Sequence, residues 1–167
     1  GFGMKVLVTD PYQNLLYSEL LNFEYTTVED LLARSDIVSL HAPYNEETHH
    51  LINRERISLM KKGALLINTS RGGLVDTEAL LEGLDQGQLA GAGLDVLEGE
   101  DLIKEEWQIV ARQRKYGDEL ARILLRNHLL LNREDVIITP HNAFNSREAR
   151  MRILETSVQN ILGYING

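Results

Sequence analysis

Short apolar runs recur along the chain at Met4 to Thr9, Asp36 to His41, Ala64 to Asn68, Ala90 to Val96 and Asp135 to Thr139. Each is nearly continuous in apolar character instead of alternating, which is the pattern of parallel strands buried on both faces. Helical patterns lie between them. Thr27, followed three residues on by Asp30, predicts a cap for a helix over Val28 to Arg34. Asn53 predicts a cap for Arg54 to Lys62, with Ile52 and Ile57 as its hydrophobic staple, Lys61 and Lys62 at the negative end and Gly63 as the stop. A third helix is expected from Asp76 to near Gly87. A fourth is expected from Asn145 with Glu148, carrying an apolar stripe of Ile153, Leu154, Val158, Ile161 and Leu162. The β-α alternation predicts an α/β fold with a doubly wound parallel sheet, whose chemistry gathers where the strands end. One segment breaks the rhythm: Asp101 to Glu134, with mixed charges, Trp107 and a helix-forming run at Glu119 to Arg126, reads as a helical insertion on the rim of the sheet.

Composition narrows the function classes. A chain of 167 residues has the length of about one domain, and 43% apolar with 25% charged residues excludes a disordered tail. No apolar run approaches the ~20 residues of a spanning helix, so no membrane partner is expected. Seventeen basic against twenty-five acidic residues leave a net charge of −8, which disfavours nucleic acid as a partner. The absence of cysteine removes disulfides, thiolate metal sites and Cys nucleophiles, and makes a reducing cytoplasm the expected compartment. Gly1-Phe2-Gly3 runs directly into an apolar strand without the pattern of a secretory leader, and the chain is expected to begin inside a domain.

Candidate chemistry sits at the predicted strand ends. Asp10 closes the first strand, where an acid can accept hydrogen bonds from ribose hydroxyls, although Asp10-Pro11-Tyr12 also reads as a simple turn. Gly1-Phe2-Gly3 is not a phosphate-binding turn, because a strand follows the glycines where a helix should, and Gly91-Ala92-Gly93 inside a strand suits close packing. Arg71, on the glycine-supported turn after the third strand, can grip a carboxylate through two parallel hydrogen bonds or be a solvated charge. Asp95, Glu98 and Glu100 follow the fourth strand, where acids are either surface residues or catalysts. His141, after the fifth, is a candidate general acid or base. Adjacent His49 and His50 with Glu46 and Glu47 lack ligand spacing, so no metal is expected, and His41 and His128 have no evident partner.

Taken in order, the motifs Gly1-Phe2-Gly3-Met4-Lys5-Val6 through Asp10-Pro11-Tyr12, Leu40-His41-Ala42-Pro43, Ile67 to Gly73, Gly93-Leu94-Asp95-Val96 and Thr139-Pro140-His141 resemble the NAD-binding domain of the D-isomer-specific 2-hydroxyacid dehydrogenases over nearly the whole chain. The resemblance implies a Rossmann-like sheet that lacks its first strand and Gly-rich turn, with the substrate domain outside this chain. It implies NAD as cofactor, a small 2-oxo or 2-hydroxy acid as substrate, and a homodimer for the full-length protein. By carry-over, Arg71 binds the substrate carboxylate, Glu100 pairs with the catalytic histidine, and His141 transfers the proton. On the cofactor side the resemblance assigns Asp10 to the ribose, Ala42 and Pro43 to the adenine-side loop and Thr48 to a nearby contact. Thr69, Ser70, Arg71 and Asp95 fall near the nicotinamide end. The long insertion and Asn142-Ala143-Phe144 resemble the D-lactate dehydrogenase branch, with Phe144 lining the substrate pocket. Phosphoglycerate or glyoxylate/hydroxypyruvate reductases and corepressor-like NAD(H)-binding proteins are the alternatives.

Overall fold

The computed structural model describes residues 2–100, 118 and 121–166. In chain order these form β1 (Val6–Val8), α1 (Leu15–Leu21), β2 (Phe23–Tyr25), α2 (Val28–Arg34), β3 (Ile37–Leu40), α3 (Arg54–Leu59) and β4 (Ala64–Asn68). A 3-10 turn (Gly72–Leu74), α4 (Thr77–Asp85) and β5 (Leu89–Leu94) follow. A helix over 121–131 (α5), then β6 (Val136–Ile138) and α6 (Arg147–Asn166), complete the order. Every strand but β2 lies where an apolar run put it, and every ladder among the described residues is parallel. They form two sheets, β1-β2 and β3-β4-β5-β6. In a doubly wound sheet of order 3-2-1-4-5-6 these are the two flanks, and the central position between β1 and β3 is unfilled among the described residues.

Helix starts follow the caps expected. Thr27 Oγ1 accepts the Asp30 N–H at 3.2 Å, Asn53 Oδ1 the Arg56 N–H at 3.0 Å, and Asp76 Oδ1 those of Glu78 and Ala79 at 3.0 and 3.2 Å. Ile52 and Ile57 are both buried, as a staple requires. Three details differ. α3 stops at Leu59, so Lys61 lies past its last turn and pairs with Asp36 instead. α6 is capped by Ser146, whose Oγ accepts the Ala149 N–H, not by Asn145. The segment from Leu15 to Tyr25, which carries no strong pattern, supplies both α1 and β2. Of the predicted insertion, Trp107 and the rest of 101–117, 119 and 120 lie outside the described residues. α5 turns Ile123, Asn127 and Leu130 inward at helical spacing.

The core lies on one face of the four-stranded sheet, where Val38, Leu40 and Leu66 meet Leu32 of α2, Ile57 of α3 and Leu80 and Leu84 of α4. On the opposite face, paired positions Ile37, Leu65 and Gly91 continue through Gly93 to Ile137, and Ile37, Leu65 and Ile137 are exposed. Gly91 is required there by close approach, since a Cβ would stand 2.6 Å from the Asp135 carbonyl oxygen of the neighbouring chain segment. The stripe of α6 is also exposed, at Ile153, Leu154, Val158, Ile161 and Leu162 alike. Two exposed apolar faces and the edges of β1 and β3, unpaired among the described residues, favour self-association. This chain purified by itself is therefore expected to give a broad thermal transition or to aggregate, with little protection by NAD. A sharp, concentration-independent melt raised several degrees by NAD would contradict that.

Candidate active site

Because β4, β5 and β6 are parallel neighbours, the turns that follow them open on one edge of the sheet, and those turns carry Arg71, Glu100 and His141. The first turn is built by Asn68, which is buried at the end of β4. Its Oδ1 accepts the Ser70 N–H at 3.1 Å and its Nδ2 donates to the Arg71 carbonyl at 2.9 Å. The Arg71 side chain is exposed and donates to the Ser70 carbonyl at 2.7 Å, which leaves guanidinium N–H groups available for a carboxylate.

The turn after β6 is organised by a second buried residue. Asp95, 4% exposed, accepts three hydrogen bonds: from the Thr139 hydroxyl at 2.5 Å and the Asn142 N–H at 2.7 Å on Oδ1, and from the Ala143 N–H at 2.8 Å on Oδ2. Burial by itself would raise the Asp95 pKa. The Thr139 hydroxyl, the two backbone donors and the nearby His141 outweigh it and hold the carboxyl below its ordinary value. These bonds bracket His141, which takes the left-handed backbone conformation at φ 51°. Its Nδ1 lies 2.8 Å from Glu100 Oε1, and its Nε2 makes no hydrogen bond among the described residues. With Nδ1 held by a carboxylate, Nε2 is the ring nitrogen that can exchange a proton with another group. Beside the pair lies a cleft of about 470 Å³ lined by Asp95, Leu97, Glu100, Leu131, Ile138, Thr139, Pro140 and His141. Phe144 stands edge-on to the His141 ring, with centroids 6.4 Å apart, and is exposed.

The residues expected to hold a dinucleotide divide into two sets. Asp10 is exposed at the end of β1; its Oδ1 accepts the Tyr12 N–H at 2.7 Å, so the turn is real, and its Oδ2 has no hydrogen bond among the described residues. Ala42 and Pro43 follow β3, and Thr69 is exposed after β4. Thr48 and Ser70, however, spend their hydroxyls on the protein itself, donating to the Pro43 carbonyl at 2.7 Å and the Ala42 carbonyl at 2.6 Å. Their role in this structure is to shape the 42–48 loop. Three histidines also acquire partners that spacing did not show. His41 lies 3.0 Å from Ser39 Oγ, His128 lies 3.3 Å from Asn132 Nδ2, and His50 lies 2.7 Å from Glu98. His50 adopts φ 49°, and its ring stacks on that of adjacent His49 with centroids 3.8 Å apart.

The sequence profile of the D-isomer specific 2-hydroxyacid dehydrogenase NAD-binding domain matches residues 1–143. The chain belongs to this family. It is 38% identical over its full length to a glyoxylate reductase of Korarchaeum cryptofilum, covering 44% of that protein. It is 42% identical over 98% of its length to a D-specific alpha-keto acid dehydrogenase of Enterococcus faecalis, covering 46%. Among solved structures it resembles D-lactate dehydrogenase from Aquifex aeolicus complexed with NAD and lactic acid, with 40% identity and a TM-score of 0.80 over 99% of this chain and 47% of that one. The chain thus spans just under half the length of the relatives it matches. No helix among the described residues is long and apolar enough to cross a membrane.

Proposed function

We propose that the protein carrying this chain is an NAD-dependent D-2-hydroxyacid dehydrogenase that interconverts a small 2-oxo acid and its D-2-hydroxy acid, with D-lactate as the model product. The observation that carries the reading is the His141–Glu100 pair at 2.8 Å on the same sheet edge as the exposed Arg71 guanidinium, with no hydrogen bond to His141 Nε2 among the described residues. The described residues fit a dinucleotide of this kind: an exposed acid ends β1, and the exposed residues Pro43 and Thr69 follow β3 and β4. Bound NADH supplies the hydride. Arg71 fixes the 2-oxo acid by its carboxylate, His141 donates a proton from Nε2 to the oxygen of the carbonyl being reduced, and Glu100 keeps Nδ1 engaged while it does so. Phe144, edge-on to His141, borders the space for the substrate side chain and so favours small acids. The alternative of a glyoxylate reductase is kept by the resemblance to the Korarchaeum protein. NADH oxidation by the intact protein, followed with glyoxylate, hydroxypyruvate, pyruvate and longer 2-oxo acids, separates the two. No oxidation with any of them would favour a non-catalytic NAD(H)-binding protein.

Two expected results follow from single side chains. NAD should be preferred over NADP, because the Asp10 carboxylate accepts from ribose hydroxyls and repels a 2′-phosphate; steady-state kinetics with both cofactors checks this, and preference for NADPH would remove Asp10 from the ribose. Arg71→Lys should lower kcat/KM on 2-oxo acids about ten- to a hundredfold, a loss of roughly 1.5–3 kcal/mol, since an ammonium cannot form the forked contact. Unchanged efficiency would show that Arg71 is not the carboxylate clamp.

A further inference from the structure

We infer that His50 and Glu98 form a positioning pair that holds the Arg71 turn and the Glu100 turn in register. The inference rests on the reading of Arg71, Glu100 and His141 given above. Glu98 stands two residues before Glu100, with its side chain 15% exposed, and its Oε1 lies 2.7 Å from His50 Nε2. Its Oε2 accepts the Thr77 N–H, at the start of α4, at 3.3 Å. Its backbone is held as well: the carbonyl accepts from Asn127 Nδ2 of α5 at 3.0 Å. The Glu98 nitrogen and the Leu97 carbonyl press so closely on Gly72 that a Cβ there would stand 2.5 and 2.1 Å from them. The residue after Arg71 therefore packs directly against the segment that leads to Glu100.

His50 closes the arrangement from the other side. Its backbone N–H donates to the Gly73 carbonyl at 2.9 Å while its ring reaches Glu98, so one residue is bonded to both turns. To do so it occupies the left-handed region at φ 49°, a conformation that costs a residue with a Cβ and is kept where surrounding contacts determine it. Behind it, His49 stacks on the His50 ring with its Nδ1 3.0 Å from the Tyr44 hydroxyl, and the Tyr44 ring lies against Gly73. Neither His50 nor Glu98 lines the cleft beside His141. Their effect on the reaction runs through the placement of Arg71 and Glu100, where misplacement by about 1 Å can cost a hundredfold in rate.

The test uses the intact protein. His50→Ala and Glu98→Ala should each lower kcat about ten- to a hundredfold and raise KM for the 2-oxo acid, leaving KM for NADH within about twofold. The double variant should be no worse than Glu98→Ala alone, because the contact that His50→Ala removes is already lost there. Glu98→Gln should recover most of the rate, since the amide can still accept the Thr77 N–H and donate to a neutral His50 ring. Independently of turnover, the imidazole 15N resonances of His141 should move in Glu98→Ala although residue 98 does not touch that ring. Multiplying losses in the double variant, or a lowered melting temperature with unchanged kcat, would overturn the positioning role. Were the unsubstituted protein to reduce no 2-oxo acid, the functional reading would fail, and unmoved His141 resonances in Glu98→Ala would then overturn the positioning pair by themselves.

Discussion

His141→Gln should lower the rate of 2-oxo acid reduction about a hundred- to ten-thousandfold while leaving NADH affinity nearly unchanged. The glutamine fills similar space and carries its amide near the Nε2 position, but an amide cannot release a proton, and the 2.8 Å contact of Nδ1 with Glu100 Oε1 is lost. Stopped-flow reduction in parallel with NADH fluorescence titration separates the two quantities. A comparable loss of cofactor binding would make His141 a structural residue. Glu100 acts through the imidazole, so its replacement by Gln should cost less than loss of the histidine itself.

The second large effect belongs to Asp95, and it concerns stability as much as rate. Asp95→Asn replaces one acceptor oxygen by an NH2 group that must face the Asn142 and Thr139 donors or the Ala143 N–H, so at least one buried hydrogen bond becomes a clash of donors. Loss of one such bond to a charged acceptor costs about 1–3 kcal/mol. The pH dependence has a definite sign. The carboxyl is held below its ordinary value in the folded state, so its contribution is present above the unfolded value of about 3.9 and fades as pH falls through the folded one. Denaturant unfolding of the unsubstituted and substituted proteins should therefore differ most near neutrality and converge below about pH 4. A gap that persisted or widened in acid would remove the charge from the explanation. Because the same bonds hold the left-handed turn at His141, Asp95→Asn should also slow reduction.

How much of this was legible depends on the range of the interactions involved. β4 and the Asn53 and Asp76 caps are local, encoded by contiguous apolar residues and by single side chains a few positions from the N–H groups they satisfy, and the chain announces them. β2 did not stand out because the alternation Phe23-Glu24-Tyr25 is only three residues long, and they form a strand by pairing with β1. The strand-end positions of Arg71 and His141 followed from the β-α rhythm, and Glu100 was reached through the family resemblance. Asp95 was legible as an acid at a strand end, but its three partners lie 44 to 48 positions away, and no spacing rule connects them. His50 was passed over for the same reason: Glu98 is 48 residues distant, and the left-handed turn that aims the ring leaves no mark in composition. The exposed stripe on α6 shows the converse, since periodicity gives the apolar face of a helix and not what covers it.

The central claim is that this chain contributes the carboxylate clamp and the proton donor of an NAD-dependent, D-specific reduction. Chiral analysis of the product that the intact protein forms from pyruvate and from longer 2-oxo acids with NADH tests it most directly. The account predicts stoichiometric NADH oxidation and the D-2-hydroxy acid as product, with both lost together in His141→Gln. Formation of the L enantiomer, or unimpaired turnover without His141, would contradict it.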